Sequence, residues 1–294
     1  MTRLLRRSDV YRLLIASVAA LTISLSAAAQ TRIEPHRNSF SPEEDVRLGR
    51  QAATEVRRQL PMLNDGPTDD FVDRIGQRLL AEIPHELRQP AFRYTFDVVN
   101  LKEINAFALP GGPMYLHRGM LEAARTDGEV AGVMAHELSH VILRHGTVQA
   151  SKGQKFQLGA IAGQVLGSMI GGRTGSVIAQ GSQIGLGTYF LKYSREYERE
   201  ADLLGAQIMA RAGYDPREMA NMFQTIARQT GSGGPEWLSD HPNPGNRTDA
   251  INREAAMLRV DRSSRGRAGI APVQARLARM APAPTTQQVA RSRR

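Results

Sequence analysis

The sequence predicts an α+β fold, mainly helical, with one short β-rich section and one buried helix. Three observations predict it. Two amphipathic helical patterns precede a cluster of short alternating β segments between Phe92 and Leu116. Helical patterns resume afterwards, and such segregated runs belong to α+β architectures rather than to alternating α/β ones. Finally, Val130 to Gly146 reads V-A-G-V-M-A-H-E-L-S-H-V-I-L-R-H-G, a helical stretch apolar on nearly every side and therefore buried.

Length and composition set the bounds. The 294 residues, 41% hydrophobic and 23% charged, suit one large or two small globular domains. Cysteine is absent, so disulfides and thiolate metal ligands are excluded, and any zinc must be held by His and carboxylate. That donor set favours a catalytic over a structural ion.

Residues 1–29 place Arg3, Arg6, Arg7 and Arg12 ahead of the apolar run Leu13 to Leu25 and the small residues Ala27-Ala28-Ala29. This is the pattern of a secretory signal peptide cut near Ala29, so the chain is expected to be exported. The net charge of +9 is concentrated at the ends, because the last 33 residues carry eight Arg and no acid. The body is near neutral, which argues against a nucleic-acid partner.

In the body, residues 30–261, Ser41-Pro42-Glu43-Glu44 caps a helix that runs to about Leu60. Thr68 is expected to cap a second, with Phe71, Val72, Ile75, Leu79 and Leu80 as its apolar stripe. Phe92 to Val99 alternates and reads as a half-buried strand; Ile104 to Leu109 and Met114 to Leu116 continue as two shorter ones. Thr126 and Glu129 have capping-box spacing ahead of the buried helix. Beyond it, residues 153–188 are rich in Gly, Ala, Ser and Gln, and are expected to form loosely packed helices, a lid or a membrane-leaning surface. Residues 262–294, rich in Arg, Pro and Ala, are expected to be a largely disordered tail with at most one short helix through Val273, Leu277 and Met280.

Chemistry concentrates in two helices. His136 and His140 are spaced i, i+4 and project from one face, close enough to share a tetrahedral ion, with Glu137 beside them. This is the H-E-x-x-H signature of zinc hydrolases. Two histidines need a third protein ligand, and Ser194-Arg195-Glu196-Tyr197-Glu198-Arg199-Glu200-Ala201-Asp202 offers carboxylates on a second helix. Glu198 and Asp202 share a face there, although a solvated Arg/Glu surface has the same pattern.

H-E-L-S-H-V, followed by S-R-E-Y-E-R-E-A-D, then S-D-H-P-N-P-G-N-R, with N-A-F-A-L-P-G-G upstream at Asn105 to Gly112, resembles the zinc metallopeptidase family of the CAAX prenyl proteases and HtpX. The match runs from about Phe40 to Met257 and is most similar to the family's periplasmic, soluble bacterial members. It implies a gluzincin-type, zincin-like domain holding one Zn2+ per chain. By resemblance, His136, His140 and Glu198 are the metal ligands, with Glu196 the competing carboxylate, and Glu137 is the general base. Asp202 orients a ligating histidine. His241 lies near the metal, stabilising an oxyanion or filling the open position, and Arg247 binds substrate or holds the loop of His241. Asn105, Ala106, Phe107 and Ala108 form a strand along which extended substrate binds. His145 also fits the family pattern, yet reads more simply as a helix-end histidine meeting backbone carbonyls.

The function implied is endopeptidase cleavage of unfolded or misassembled envelope proteins in the periplasm, with peripheral contact to membrane or outer-membrane assembly machinery. The alternative is an assembly factor whose closed zinc site rarely cuts.

Overall fold

The computed structural model describes residues 30–153, 193–228, 237, 241, 247–261 and 269–292. The expected signal peptide and nearly all of the Gly-rich segment lie outside the described residues.

The first helix, α1 (Pro42–Gln59), starts with a complete capping box: Ser41 Oγ accepts from Glu44 N at 3.2 Å and Glu44 Oε2 accepts from Ser41 N at 2.7 Å. Helix α2 (Gly66–Ala81) begins earlier than expected, because Asp65 rather than Thr68 is its cap. Asp65 Oδ2 accepts from both Thr68 N (3.3 Å) and Thr68 Oγ1 (2.7 Å), which draws Thr68 into the first turn. Phe71, Val72, Ile75 and Leu79 then enter the main core.

The sheet has strands β1 (Thr95–Val99), β2 (Ala106–Ala108) and β3 (Pro113–His117) in the order β1-β3-β2. β1 pairs with β3 in parallel and β2 with β3 antiparallel. β1 is shorter than the alternating pattern suggested. Arg93 turns back on the carbonyls of Pro90, Ala91 and Phe92, and its N–H donates to Gly111 O at 2.7 Å. Gly112 must be glycine: its φ is +128°, and a Cβ there would lie 2.4 Å from Arg93 O. Among the described residues no strand pairs with the outer side of β2.

After α3 (Arg118–Ala123), the chain enters α4 (Asp127–Ile142), the buried helix of the motif. Thr126 Oγ1 caps Glu129 N at 3.0 Å, but the Glu129 carboxylate is taken by Arg125, so only half of the expected capping box forms. α5 (His145–Gly153) follows. α6 (Arg195–Arg211), α7 (Arg217–Arg228) and β2 pack around α4, while α8 (Arg247–Met257) packs on α6 and α7. A Cβ on Gly132 would stand 2.6 Å from Met219 Cα, so α4 and α7 touch backbone to backbone. The polar stripe of His136, Glu137 and His140 on α4 is therefore enclosed by neighbours and buried.

The C-terminal region corrects the expectation of a largely disordered tail. It forms α9 (Ala271–Leu277) and α10 (Thr286–Ser292), and Ile270, Val273 and Leu277 are buried in the main core. Composition undercounted the region because its few apolar residues share one face and the body supplies partners. Buried Arg118 donates to Leu277 O and Ala281 O, both at 2.8 Å, and Gln274 Nε2 donates to Ala124 O at 2.6 Å. Arg276 binds Asp65 at 2.6 Å and holds the Asp65 pKa down at about 2 against an ordinary 3.8, with burial opposing.

A carboxyl lowered on folding stabilises the fold above its unfolded pKa, and that contribution fades as pH falls from about 3.8 to about 2. The protection factors of the amides across Ala271–Leu277, exchange corrected for its intrinsic pH dependence, are expected to fall over this window, and Asp65→Asn should show the lowered protection already at pH 7. Equal protection in variant and wild type at pH 7 would contradict the anchoring role. No helix among the described residues is long and apolar enough to cross a membrane.

Candidate metal centre

His136, His140, Glu198 and His241 are all buried, and one ligand atom from each lies within 4.8 Å of the others. The pairs are His136 Nε2 to His140 Nε2 at 3.1 Å, His136 Nε2 to His241 Nδ1 at 3.2 Å, and His241 Nδ1 to Glu198 Oε1 at 2.9 Å. Glu198 also lies 3.6 Å from His136 Nε2 and 3.5 Å from His140 Nε2. A tetrahedral ion with bonds of about 2.0–2.1 Å spaces its donors roughly 3.3 Å apart, so the cluster has the dimensions of one coordination sphere.

The surroundings set the tautomers. His136 Nδ1 lies 3.0 Å from Asp202 Oδ1, nearer than the Arg247 Nη2 at 3.3 Å, so the ring donates to Asp202 and keeps its Nε2 lone pair for the centre. His140 Nδ1 faces His145 Nδ1 at 2.9 Å, and His145 Nε2 faces Glu200 Oε2 at 3.1 Å. Donation from His145 to Glu200 and from His140 to His145 leaves His140 Nε2 free as well. Burial drives His136 and His140 down to about 4, against the opposing pull of Asp202 and Glu198 respectively, so both are neutral at pH 7. Burial would raise Glu198, yet His241, His140 and His136 outweigh it and hold it well below the ordinary carboxylate range. Burial opposes a charge on His241, but Glu198 and Glu137 lift it to about 9. The centre therefore attracts positive charge.

The donor set fits a cation on another ground. Glu198 Oε2 is buried with no hydrogen-bond partner, although Arg247 Nη1 is 3.1 Å away, and an oxygen so placed still has an electron pair to give.

The remaining candidates fall around this group. Glu137 Oε1 accepts from Trp237 Nε1 at 3.0 Å and lies 3.4 Å from His241 Nε2. Glu196, the competing carboxylate, is exposed and outside the group. Arg247 donates through Nε and Nη2 to Asp202 at 2.8 and 2.7 Å, and Nη1 reaches His241 O at 3.5 Å. With its donors spent in this way and 3% exposure, it braces carboxylates and loop, which corrects the substrate-binding assignment. His145 corrects the reading of a helix-end histidine: it opens α5, is fully buried, and touches side chains where backbone carbonyls were expected.

Ala106, Phe107 and Ala108 are all buried, Phe107 stacking on Tyr115 at 5.2 Å, so the side chains of this strand are spent in the core. Asn105 Oδ1 accepts from Ala106 N at 2.8 Å, which shapes the start of the strand. A cleft lined by Ala108, Leu109, Pro110, His140 and Tyr193 joins this strand to the histidine face.

Sequence reasoning missed Trp237, stacked on His241 at 4.7 Å, Tyr193, stacked on His140 at 4.2 Å, and the partners of His145. Trp237 is the chain's single tryptophan and stands four residues before His241, the one signal that marked it.

The sequence matches peptidase family M48 over residues 68–255. The chain belongs to peptidase family M48. This is the metallopeptidase family towards which the motifs pointed; its fold is zincin-like and its enzyme class implies a metal. Among M48-type relatives, the chain is 31% identical over 225 residues to the beta-barrel assembly-enhancing protease of Yersinia pestis, covering 74% of this chain and 46% of that one. It is 30% identical over 228 residues to the protein of the same name in Escherichia coli (strain K12), covering 75% and 46%. Mitochondrial metalloendopeptidase OMA1 of Arabidopsis thaliana is 31% identical over 177 residues, covering 59% and 35%. The chain thus spans about half the length of the first two.

Proposed function

We propose that the chain is a zinc-dependent endopeptidase acting on unfolded or misassembled proteins of the bacterial envelope, in the periplasm and beside outer-membrane assembly. The observation that carries the reading is the convergence of three neutral-imidazole or carboxylate donors, His136, His140 and Glu198, beside a second carboxylate, Glu137. Without cysteine, two imidazoles and a carboxylate are the usual zinc set for hydrolysis. Envelope clients and assembly contacts are supported by relatives called beta-barrel assembly-enhancing protease.

In this reading His136, His140 and Glu198 hold the ion. Zinc bound there supplies Lewis-acid polarisation of a peptide carbonyl and acidifies water. Glu137 takes the proton of the attacking water and returns it to the leaving amine. Trp237 fixes Glu137 by its N–H, Asp202 fixes His136, and the edge of β2, unpaired among the described residues, aligns extended substrate by backbone bonds with little side-chain selection.

The decisive experiment is cleavage of unfolded casein by the full chain, with loss on chelation and recovery at one equivalent of Zn2+. Absence of cleavage after recovery of bound zinc would overturn the reading.

His241 refines it. Its Nδ1 stands with the other three ligand atoms, so with an ion bound the ring, on giving up its extra proton, would fill the fourth position, which favours a resting enzyme over an oxyanion role. Replacing His241 with Ala is expected to raise casein cleavage; a fall would assign His241 to the transition state instead. The same closed geometry is what the assembly-factor alternative draws on, and complementation of an envelope defect by a Glu137→Gln protein would favour that alternative.

A further inference from the structure

Behind His140 a second set of ligand-type atoms converges. His36, on the arm ahead of α1, places Nε2 2.8 Å from Glu200 Oε2, and His145 places its Nε2 3.1 Å from the same oxygen. Ligand atoms of all three residues lie within 4.8 Å of one another. The arm is fastened on both sides of His36. Thr31 N and Oγ1 bond to Glu254 at 3.0 and 2.7 Å, while Asn38 Nδ2 reaches Thr147 Oγ1 at 2.8 Å and Ser39 N reaches Ser151 Oγ at 2.9 Å. Tyr197 stacks on His145 at 4.5 Å and meets His36 edge-on at 5.0 Å, which orients both rings. His36 and Glu200 side chains are each 20% exposed, so the cluster opens to solvent, whereas the first centre is enclosed.

We infer that His36, His145 and Glu200 form a second divalent-cation site, two imidazoles and one carboxylate on preorganised elements, suited to a zinc-class ion and antagonistic to the first centre. The donor types are those that borderline cations prefer. The 2.8 and 3.1 Å separations are near the roughly 3.3 Å edge of a tetrahedral sphere.

The antagonism follows from proton bookkeeping between two rings. His140 Nδ1 and His145 Nδ1, 2.9 Å apart, have room for one proton. While His145 donates from Nε2 to Glu200, its Nδ1 accepts from His140, and His140 Nε2 stays free for the first ion. A cation on His145 Nε2 moves the His145 proton to Nδ1. His140 must then accept there and carry its own proton on Nε2, where it no longer ligates. Filling the outer site therefore weakens the inner one, and excess metal inhibits.

The binding claim is independent of the peptidase reading; only its activity readout rests on it. The experiment titrates metal-depleted full chain with Zn2+ by calorimetry, following casein cleavage in parallel. Two steps are expected, a tight one that confers cleavage and a weaker one that suppresses it. His36→Gln keeps a hydrogen-bond donor for Glu200 but removes the ligand. It should lose the second step and the inhibition while retaining the first step and basal cleavage. His36→Ala should behave alike, with circular dichroism reporting the fold of both. A single binding step in an actively cleaving wild type overturns the inference and leaves the peptidase reading standing, as does a second step that survives both variants. Two steps without cleavage at any ratio support the second site and sink the peptidase reading.

Discussion

Glu137→Gln is expected to lower casein cleavage by about 10²–10⁴-fold, the usual contribution of a general base. Metal content should be unchanged. The substitution is nearly isosteric, and its amide oxygen still accepts the Trp237 N–H that Glu137 Oε1 accepts at 3.0 Å. Glu137 is not part of the four-residue ligand group, so the inner centre keeps its donors. What is lost is a carboxylate able to take a proton from water and give it to the leaving amine. Steady-state cleavage together with metal analysis separates these outcomes: equal metal and a collapsed turnover with unchanged KM is the expected result. Cleavage within tenfold of wild type would remove Glu137 from the mechanism.

Asp202→Asn should act on stability and metal affinity together. Asp202 is buried beneath His136 and carries the Nε and Nη2 bonds of Arg247 at 2.8 and 2.7 Å. Burial alone would raise its pKa, but Arg247 and His136 keep it lowered, so it is a charged partner at neutral pH. Removing one member of a buried ion pair strands the other, at a cost of about 3–5 kcal/mol. Replacing the charged acceptor on His136 Nδ1 by an amide, which can present oxygen or NH2 there, also weakens the hold on that ring and its tautomer, which typically costs about 10–100-fold in metal affinity. Urea unfolding in the presence of chelator measures the first effect alone, because bound metal would otherwise add its own stabilisation. Competition titration measures the second. A double variant that replaces Arg247 as well should recover part of the stability but none of the affinity. Unchanged values in both measurements would mean that Asp202 merely fills space.

The two predictions concern residues of different legibility. Glu137 could be singled out from its own helix, since a lone carboxylate between two histidines on an apolar segment needs a chemical reason. Asp202 and Glu198 sit in a stretch whose alternating Arg and Glu also describe a solvated surface. Local pattern could not choose between those readings, and family resemblance supplied the choice. In the fold, Glu198 and Asp202 face α4 and are buried while Glu196 is exposed, a division made by packing between α6 and α4.

Secondary structure shows the same division. Ser41 and Pro42 announce α1 by local hydrogen bonds that any chain with those residues can make. Asp65 was equally local, yet Thr68 has the same capping chemistry, and only the observed bond from Thr68 Oγ1 to Asp65 decides which residue stands outside the helix. The C-terminal helices had no strong signal of their own. Their order comes from Arg118, Gln274 and Asp65, contacts that span 150 residues or more.

By itself the sequence determined what depends on neighbours along the chain: the α+β element order, the caps and breaks, and the pairing of His136, Glu137 and His140 on one buried helix. The tertiary structure alone decided what depends on groups meeting across the fold. Trp237 reaches Glu137 over 100 residues, His136 meets Asp202 over 66, and His36 meets Glu200 over 164. No periodicity encodes such contacts, because each is set by how helices and arm pack around α4. The motif names the chemistry, and the enclosing helices set its protonation and closure.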